Sequence, residues 1–379
     1  MQMTDFDSAA FLRDYWQKKP LLIRNPWAGW QNPLTPDELL GLAYEEEVES
    51  RLIVRTSKKW KVEQGPFTEG RLARLGKHPW TQLVQAVDHF VPEVAALIEP
   101  FRFIPNWRID DVMVSYASDG GGVGPHFDQY DVFLIQGLGK RRWQVGATCD
   151  AATELLPHDD LKLLANFEPT DEWVLEPGDI LYVPPGIAHN GVAVGDDCMT
   201  YSIGFRAPSR SELTAHWCDH LLDTMADDDR YGDANLATQE NPGEITAPAL
   251  ERLHAMISEA LLDRAAFARW FGEYSSTRKY PEIDWQPEEP VALTELRDRL
   301  VAGATLVRNP ASRFSFVRQA DALLLFVDGE SFECTGTAAL AEQVCAHDRI
   351  VVDPALAGSD AALTLIAALF DQGSVMFDD

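Results

Sequence analysis

The stretch from residue 111 to residue 205 constrains the fold of this chain most strongly. Short apolar runs recur in it, and glycine- and proline-rich turns such as residues 120–125 and 184–186 separate them. Many short strands bounded by Gly and Pro predict a β-sandwich or barrel. The runs lie at residues 112–116, 132–135, 141–145, 180–183 and 199–205, and we expect residues 136–139 to turn the chain between two strands.

The flanking regions differ from this stretch in their pattern of apolar residues, and the chain as a whole is predicted to form three domains. Residues 1–210 hold the β-rich part and an early helix, and they form the expected catalytic domain. Residues 211–285 show apolar side chains at spacings of three and four, which predicts paired helices that cover a core or form a dimer surface. Residues 286–379 follow a Pro-rich acidic linker and alternate helices with a strand hairpin, which predicts a winged-helix-like module.

The charge of the chain narrows the classes of partner. It has 60 acidic and 32 basic side chains, hence a formal net charge of −28, spread as −10, −11 and −7 over residues 1–210, 211–290 and 291–379. A strongly negative surface disfavours nucleic acids and anionic membranes, and it suits a basic partner. Solubility alone is the competing explanation of this charge.

The cysteines and the apolar runs indicate where the protein acts. The five cysteines are odd in number and include no CxxC pair, which is typical of reduced thiols in a cytoplasmic protein. The first residues are acidic and lack the basic and apolar regions of a signal peptide. Apolar runs of 18 residues are absent, so we expect no membrane-spanning helix.

A candidate metal site stands out within the β-rich stretch. In a strand the side chains of His126 and Asp128 share one face, and His189 follows a Pro-Pro-Gly turn at the end of another predicted strand. Two imidazoles and one carboxylate, with three coordination positions left open, are the ligand set of non-haem Fe(II) oxygenases. The sequence therefore predicts an iron site at these three residues.

A second feature suggests an anionic co-substrate. Alternation in the run 141–145 places Arg141 on the same inward face as Trp143 and Val145, while Arg142 points outward. A buried guanidinium needs an anionic partner, and a carboxylate can bind it in a bidentate fashion. An internal salt bridge is the alternative for Arg141.

Four segments together resemble the JmjC-domain ribosomal oxygenases of the bacterial type, the ribosomal protein arginine hydroxylases of the cupin superfamily. They lie at residues 11–24, 120–143, 176–191 and 369–377, so that the resemblance spans essentially the whole chain. The central segments are highly specific, whereas residues 211–280 resemble the family only in texture.

The resemblance implies a mainly β fold with added helices. It consists of a double-stranded β-helix (jelly roll), a helical dimerisation region and a C-terminal winged-helix domain. It implies that His126, Asp128 and His189 bind Fe(II), that Arg141 pairs with the distal carboxylate of 2-oxoglutarate and that Ser115 hydrogen-bonds the same co-substrate. The second co-substrate is O2. The implied reaction is hydroxylation, at the β-carbon, of an arginine of large-subunit ribosomal protein number sixteen.

Further residues near the triad are candidates for lesser roles. We expect Asp119, Tyr130 and Asp131 to contact a cationic substrate, and Asn190 to orient the third metal ligand. Turn chemistry is the alternative for Asp119, and structural roles are the alternatives for the other three. His78, His158 and the remaining histidines are expected to be ordinary surface or helix residues.

Three other functions remain open from the sequence. One is a histidine hydroxylase acting on another ribosomal protein, as in a neighbouring branch of the family. A second is a non-catalytic metal-binding cupin joined to a regulator, although the net −7 of residues 291–379 speaks against DNA binding by the winged helix. The third is a zinc or iron cupin enzyme that does not use 2-oxoglutarate, which the inward-facing Arg141 disfavours.

Overall fold

The computed structural model describes residues 3–56, 59–76, 78–319 and 322–378. The chain forms two compact units that are interleaved along the sequence. The first unit consists of Met1–Ala207, Lys279–Trp285 and Arg308–Ala311, and the second of Pro208–Arg278, Gln286–Val307 and Ser312–Asp379. The expected domain divisions after residues 210 and 285 stay predictions.

The first unit combines short helices with a large antiparallel sheet. Its helices are α1 (Ser8–Asp14), α2 (Pro36–Leu42), α3 (Glu69–Leu72) and α4 (Pro92–Ala95). Its strands are β1 (Leu21–Ile23), β2 (Ser50–Arg55), β3 (Trp60–Gln64), β4 (Trp80–Val84), β5 (Ile109–Ala117), β6 (Asp131–Thr148), β7 (Asp171–Leu175), β8 (Ile180–Val183) and β9 (Ile187–Phe205).

The two long strands β6 and β9 hold this sheet together. They have 18 and 19 residues and pair with each other along most of their length, with β5 on the other side of β9. Strands usually have about 5 or 6 residues. The register of the β6–β9 pair shifts at three places, and such bulges bend a strand so that it can pass from one layer of a barrel to the next.

Strand β6 is buried on both faces in its first half. Val132 and Leu134 pack in one apolar cluster with Trp143 and Val145, whereas Phe133 belongs to a second cluster beneath the helices. Because both faces are covered, the segment is an unbroken apolar run rather than an alternating one. The first cluster faces the interior of the barrel, where the candidate site lies.

The expected turn at residues 136–139 is wrong, because β6 continues through it. Gly137 and Gly139 lie where the register against β9 shifts, between Gln136 and Lys140. The side-chain amide of Gln136 donates to the carbonyls of Leu138 and Met199, so it satisfies backbone groups that the irregular ladder leaves unpaired. The glycines therefore mark a bulge instead of a chain reversal.

The second unit begins with three helices and continues with a mixed α/β region. The helices are α5 (Arg210–Thr224), α6 (Ala247–Leu261), α7 (Arg264–Ser276), α8 (Leu293–Val301), α9 (Ala338–Ala346), α10 (Pro354–Ala357) and α11 (Asp360–Asp371). The strands are β10 (Thr305–Arg308), β11 (Phe314–Arg318), β12 (Leu323–Val327), β13 (Glu330–Glu333), β14 (Arg349–Val351) and β15 (Val375–Phe377).

Most of the helices of the second unit contribute to its core, but α6 does not. Leu296 and Leu300 of α8 pack with α9, α11 and the hairpin strands in one apolar cluster. In contrast, α6 has no buried residue, although its apolar side chains are concentrated on one side. Among the described residues, no helix is long and apolar enough to cross a membrane.

Candidate active site

The three residues predicted to bind metal lie together in the cavity of the barrel. A nitrogen of His126, a nitrogen of His189 and a carboxylate oxygen of Asp128 all lie within 4.8 Å of one another. His126 and Asp128 precede β6 in a loop rather than in a strand, but His126 forms a backbone bridge with His189 of β9. This bridge keeps the backbone extended, and so His126 and Asp128 still share a face.

Backbone carbonyls orient the two imidazoles. The Nδ1 atom of His126 lies 2.8 Å from the oxygen of Gly124, and the Nδ1 atom of His189 lies 3.0 Å from the oxygen of Ile187. A carbonyl can only accept, so each neutral imidazole donates from Nδ1 and keeps the lone pair on Nε2. The Nε2 atoms lie 3.8 and 3.5 Å from Asp128 Oδ2, so all three ligand atoms face one point.

The protonation state of His189 suits a metal ligand. Its side chain is buried, and burial together with the neighbouring His126 lowers its pKa to about 4. The imidazole is therefore neutral at pH 7, which is the form that binds metal. Two imidazoles and one carboxylate are the ligand set that Fe(II) takes when three coordination positions stay open, so these residues fit the expected ion.

Arg141 lies buried in the same cavity with unused hydrogen-bonding capacity. Its side chain is 3% exposed, and one terminal nitrogen donates weakly to Ser115 Oγ at 3.4 Å. Its Nε atom has no partner, and no carboxylate among the described residues forms an ion pair with it. This geometry does not support the internal-salt-bridge alternative, and an unpaired buried guanidinium is costly. A carboxylate ligand would remove this cost.

The cavity that joins these groups has a volume of about 80 Å³, which is room for several water-sized groups. Strands β4, β5, β6 and β9 supply most of its wall. Apart from the predicted residues, its lining includes Thr81, Leu83, Met113, Val123, Val132, Leu134, Trp143, Thr200 and Ser202.

Sequence reasoning missed most of these lining residues. Thr81 and Leu83 alternate on β4, and the pairing of Leu83 with Ser115 fixes which face of β4 points inward. The alternation was available from the sequence, but the strand pairing was not. Trp143, which the sequence places on the inward face beside Arg141, is both buried and part of the cavity wall.

Tyr130 and Asp131 are adjacent in sequence but differ in environment. Tyr130 is 44% exposed at the cavity, where partial burial and the charge of Asp128 raise the pKa of its phenol. Asp131 is fully buried, and it accepts hydrogen bonds from Arg108, Tyr182 and Gln17. A substrate contact by either residue stays a prediction, and for Asp131 the structure shows a full set of partners within the protein.

Asp119 and Asn190 also have partners of their own. The carboxylate of exposed Asp119 accepts a hydrogen bond of 2.7 Å from the backbone N–H of Gly195, as the turn-chemistry alternative anticipated. The side-chain amide of Asn190 donates to Gln144 rather than to the neighbouring His189. Their proposed roles in substrate binding and ligand orientation stay predictions.

Two protein-family models match this chain. A model described as the JmjC domain matches residues 96–213, and a model described as the ROXA-like winged helix matches residues 255–376. The first match contains the whole ligand set and Arg141. Thr81 and the rest of β4 lie outside it.

Two relatives each match more than half of this chain. The chain is 42% identical to the ribosomal protein uL16 3-hydroxylase of Escherichia coli over 298 residues. This alignment covers 79% of this chain and 79% of the relative. It is 47% identical over 205 residues to a probable ribosomal oxygenase of Haemophilus influenzae, covering 54% of this chain and 50% of the relative.

Solved structures of the Escherichia coli ribosomal oxygenase YcfD are similar over the full length. One X-ray structure has a TM-score of 0.91 at 36% identity, with all of both chains covered. A second, in complex with cobalt and 2-oxoglutarate, has a TM-score of 0.88 and covers 100% of this chain and 99% of that one. These matches confirm the predicted combination of a jelly-roll cupin domain with a winged-helix domain.

Proposed function

We propose that this chain, which belongs to the family of JmjC-domain ribosomal oxygenases, is an Fe(II)- and 2-oxoglutarate-dependent oxygenase that hydroxylates ribosomal protein uL16. The modified residue is an arginine, and the hydroxyl is added at its β-carbon. The similarity to the uL16 3-hydroxylase of Escherichia coli and to an oxygenase structure with cobalt and 2-oxoglutarate supports this assignment.

The observation that carries the proposal is the placement of two complementary sites in one cavity. His126, Asp128 and His189 would hold Fe(II) at one place, and Arg141 with Ser115 would bind the distal carboxylate of 2-oxoglutarate at another. A metal-binding regulator needs only the first site. The buried Arg141 without an ion pair is explained by an anionic co-substrate, which the non-catalytic alternative lacks.

Iron held by His126, Asp128 and His189 would supply the oxidation of a C–H bond by O2, coupled to decarboxylation of 2-oxoglutarate. The protein contributes position and exclusion of water. Backbone carbonyls fix both imidazoles, the guanidinium fixes the co-substrate, and apolar side chains such as Leu134 and Met113 line the space between them. A cavity of this kind protects a strong oxidant from side reactions with water and protein.

Substrate binding is proposed at the exposed rim of the cavity. Tyr130 is the only one of the three candidate contacts that lines the cavity itself, and its hydroxyl can accept from a guanidinium. Asp119 is exposed, so its carboxylate can attract a cationic side chain. Asp131 would act indirectly, because its bonds to Arg108 and Tyr182 fix the start of β6 next to Tyr130.

The remaining partners follow from charge and from α6. A basic ribosomal protein complements a chain of net charge −28, and we expect neither nucleic acid nor membrane to bind directly. The exposed apolar side of α6 would be covered by a second copy in a homodimer, with residues 211–285 as the dimerisation region. Since ribosomal proteins are made in the cytoplasm, we place the enzyme there.

The decisive experiment supplies purified protein with Fe(II), ascorbate, 2-oxoglutarate and uL16, and it measures succinate together with the mass of uL16. We expect succinate release and a gain of one oxygen atom on an arginine. Fragmentation of the peptide locates the hydroxyl. A gain on a histidine of another ribosomal protein would favour the histidine hydroxylase instead.

Matched reactions without iron or without 2-oxoglutarate provide the controls. Succinate release that continued without iron would contradict the metal-dependent mechanism. If the complete mixture gave neither succinate nor a mass change with any ribosomal protein, the assignment as an oxygenase would fail.

A further inference from the structure

The cavity contains a polar group that neither the metal site nor the Arg141–Ser115 pair uses. The hydroxyl of Thr81 on β4 is fully buried, lines the cavity and has no hydrogen-bond partner among the residues that the structure describes. Two further cavity groups share this condition, namely Nε of Arg141 and Nε1 of Trp143. Buried hydroxyls are normally hydrogen-bonded, and an unsatisfied one costs stability.

The other threonine of the cavity provides a contrast. Thr200 on β9 also lines the cavity, but its hydroxyl donates to Gln136 at 3.2 Å. A buried threonine in this barrel wall can therefore find a partner within the protein. The unsatisfied hydroxyl of Thr81 points to a partner that comes from outside the chain.

Strand pairing places Thr81 at the same end of the cavity as Arg141. Thr81 pairs with Ala117, and Arg141 pairs with Ala193. Both alanines belong to one small apolar cluster with Cys198. Ala117 is two positions from Ser115, which Arg141 contacts, so Thr81 and Arg141 belong to neighbouring parts of the cavity wall.

We propose that the Thr81 hydroxyl binds the distal carboxylate of 2-oxoglutarate together with Arg141 and Ser115. The inference rests on the proposed function, and it adds a residue from a strand outside the JmjC match. A carboxylate accepts several hydrogen bonds, whereas the single N–H···O contact of 3.4 Å between Arg141 and Ser115 leaves donors unused. Thr81 thereby contributes to the selection of 2-oxo acids with a second carboxylate.

The test measures binding in the absence of O2, so that no turnover occurs. Fe(II)-loaded protein is titrated with 2-oxoglutarate and with 2-oxopentanoate, which has the same chain length but a methyl group in place of the distal carboxylate. Chelation of Fe(II) by a 2-oxo acid gives a visible charge-transfer absorption, which reports binding of both ligands.

We expect Thr81→Val to weaken 2-oxoglutarate binding by about 10- to 100-fold, since a hydrogen bond to a charged group is lost. Binding of 2-oxopentanoate should stay unchanged. Arg141→Ala should show the same selective loss. Thr200→Val is the matched control, and it should alter both affinities by the same factor.

A second pair of variants keeps the inference testable if Thr81→Val does not fold. Thr81→Ser keeps the hydroxyl and should retain the preference for 2-oxoglutarate, whereas Thr81→Ala should lose it. Equal preference in Thr81→Ser and Thr81→Ala, or an unchanged preference in Thr81→Val, would overturn the role of Thr81. Absence of the absorption in the unaltered protein would overturn the proposed function as well, so the two failures are distinguishable.

Discussion

At the scale of single residues, the candidate iron site depends on one carboxylate between two oriented imidazoles. Asp128 Oδ2 lies 3.5 Å from His189 Nε2 and 3.8 Å from His126 Nε2. We expect Asp128→Ala to weaken Mn(II) binding by more than about 100-fold, because even indirect partners of metal ligands contribute about 10- to 100-fold. Calorimetric titration with Mn(II) measures the change, and circular dichroism checks the fold.

Asp159→Ala is the matched control for this substitution. Asp159 is an exposed aspartate outside the ligand cluster, so its removal should leave Mn(II) affinity unchanged. Undiminished Mn(II) binding by Asp128→Ala would remove Asp128 from the ligand set.

Residue identity alone predicted the cluster because its chemistry is specific and its spacing is local. His126 and Asp128 are two positions apart, and His189 follows a turn that ends a strand. Thr81 could not be found in this way. A threonine in a strand becomes a ligand candidate only when its hydroxyl is known to be buried, unpaired and in the same cavity wall as Arg141.

At the scale of secondary-structure elements, glycine marks a hairpin loop at one place and a bulge within a strand at another. A strand hairpin was predicted within residues 286–379, and Asp328–Gly329 connects β12 to β13 as a two-residue hairpin loop with positive φ at both residues. Residues 136–139 were predicted to turn the chain, but Gly137 and Gly139 instead form a bulge within β6. The continuous partner β9 decided the second case, and it lies more than 50 residues away.

Asp88, in the segment between β4 and β5, and Asp111 of β5 form a buried acidic pair in the first unit. Burial raises the pKa of Asp88 well above its ordinary value, and the negative charge of Asp111 raises it further. Asp111 is also buried with a raised pKa, and Lys279 forms an ion pair with it at 3.0 Å. His89 Nε2 lies 4.0 Å from Asp88, and Asp110 lies 3.0 Å from Lys279.

This pair makes stability depend on pH with a definite sign. A raised pKa means that the folded state holds a proton that the unfolded state releases above about pH 4. The free energy of unfolding should therefore fall as pH rises through the folded-state pKa. Asp88→Asn keeps the acceptor for the N–H of Val112 but carries no charge, so its stability should fall less over the same range.

Urea unfolding of both proteins between about pH 5 and pH 8 measures this difference. The gap between the two proteins should widen in favour of Asp88→Asn as pH rises. Asp159→Asn serves as the exposed control and should follow the unaltered chain. Parallel stability curves for Asp88→Asn and the unaltered chain would show that the buried pair holds no extra proton.

Helix α6 carries the prediction about assembly. Leu250, Leu253, Ile257 and Leu261 lie at spacings of three and four, and all are exposed. We expect Ile257→Glu to convert a dimer to a monomer, because a charge on this stripe would have to be buried at the interface. Sedimentation velocity measures the state.

Glu259→Gln on the opposite side of α6 is the control, and it should remain dimeric. A monomeric unaltered protein would refute the dimer itself. An Ile257→Glu protein that still sedimented as a dimer would place the interface elsewhere.

At the scale of the whole molecule, charge should affect how fast the substrate arrives. The net charge of −28 is spread over the chain, so it forms a long-range field rather than a local tail. Such a field raises the association rate of a basic partner and weakens with salt, since the screening length falls from about 10 Å at 0.1 M to about 3 Å at 1 M. We expect the KM for uL16 to rise with ionic strength.

The KM for 2-oxoglutarate provides the internal control for this experiment. The co-substrate is an anion, so screening of the negative field should lower its KM or leave it unchanged. Opposite responses of the two KM values would support steering. A KM for uL16 that did not respond to salt would leave solubility as the sole reason for the charge.

The sequence by itself determined the β-rich architecture, the residues of the candidate metal cluster and the inward position of Arg141. These depend on local periodicity and on residue chemistry, which are readable within a few positions. Only the tertiary structure decided that β6 runs through its glycines, that Asp131 is satisfied inside the wall and that Thr81 opens onto the cavity. Those outcomes depend on pairing between distant strands, because the register of a partner strand sets which face of each residue is buried.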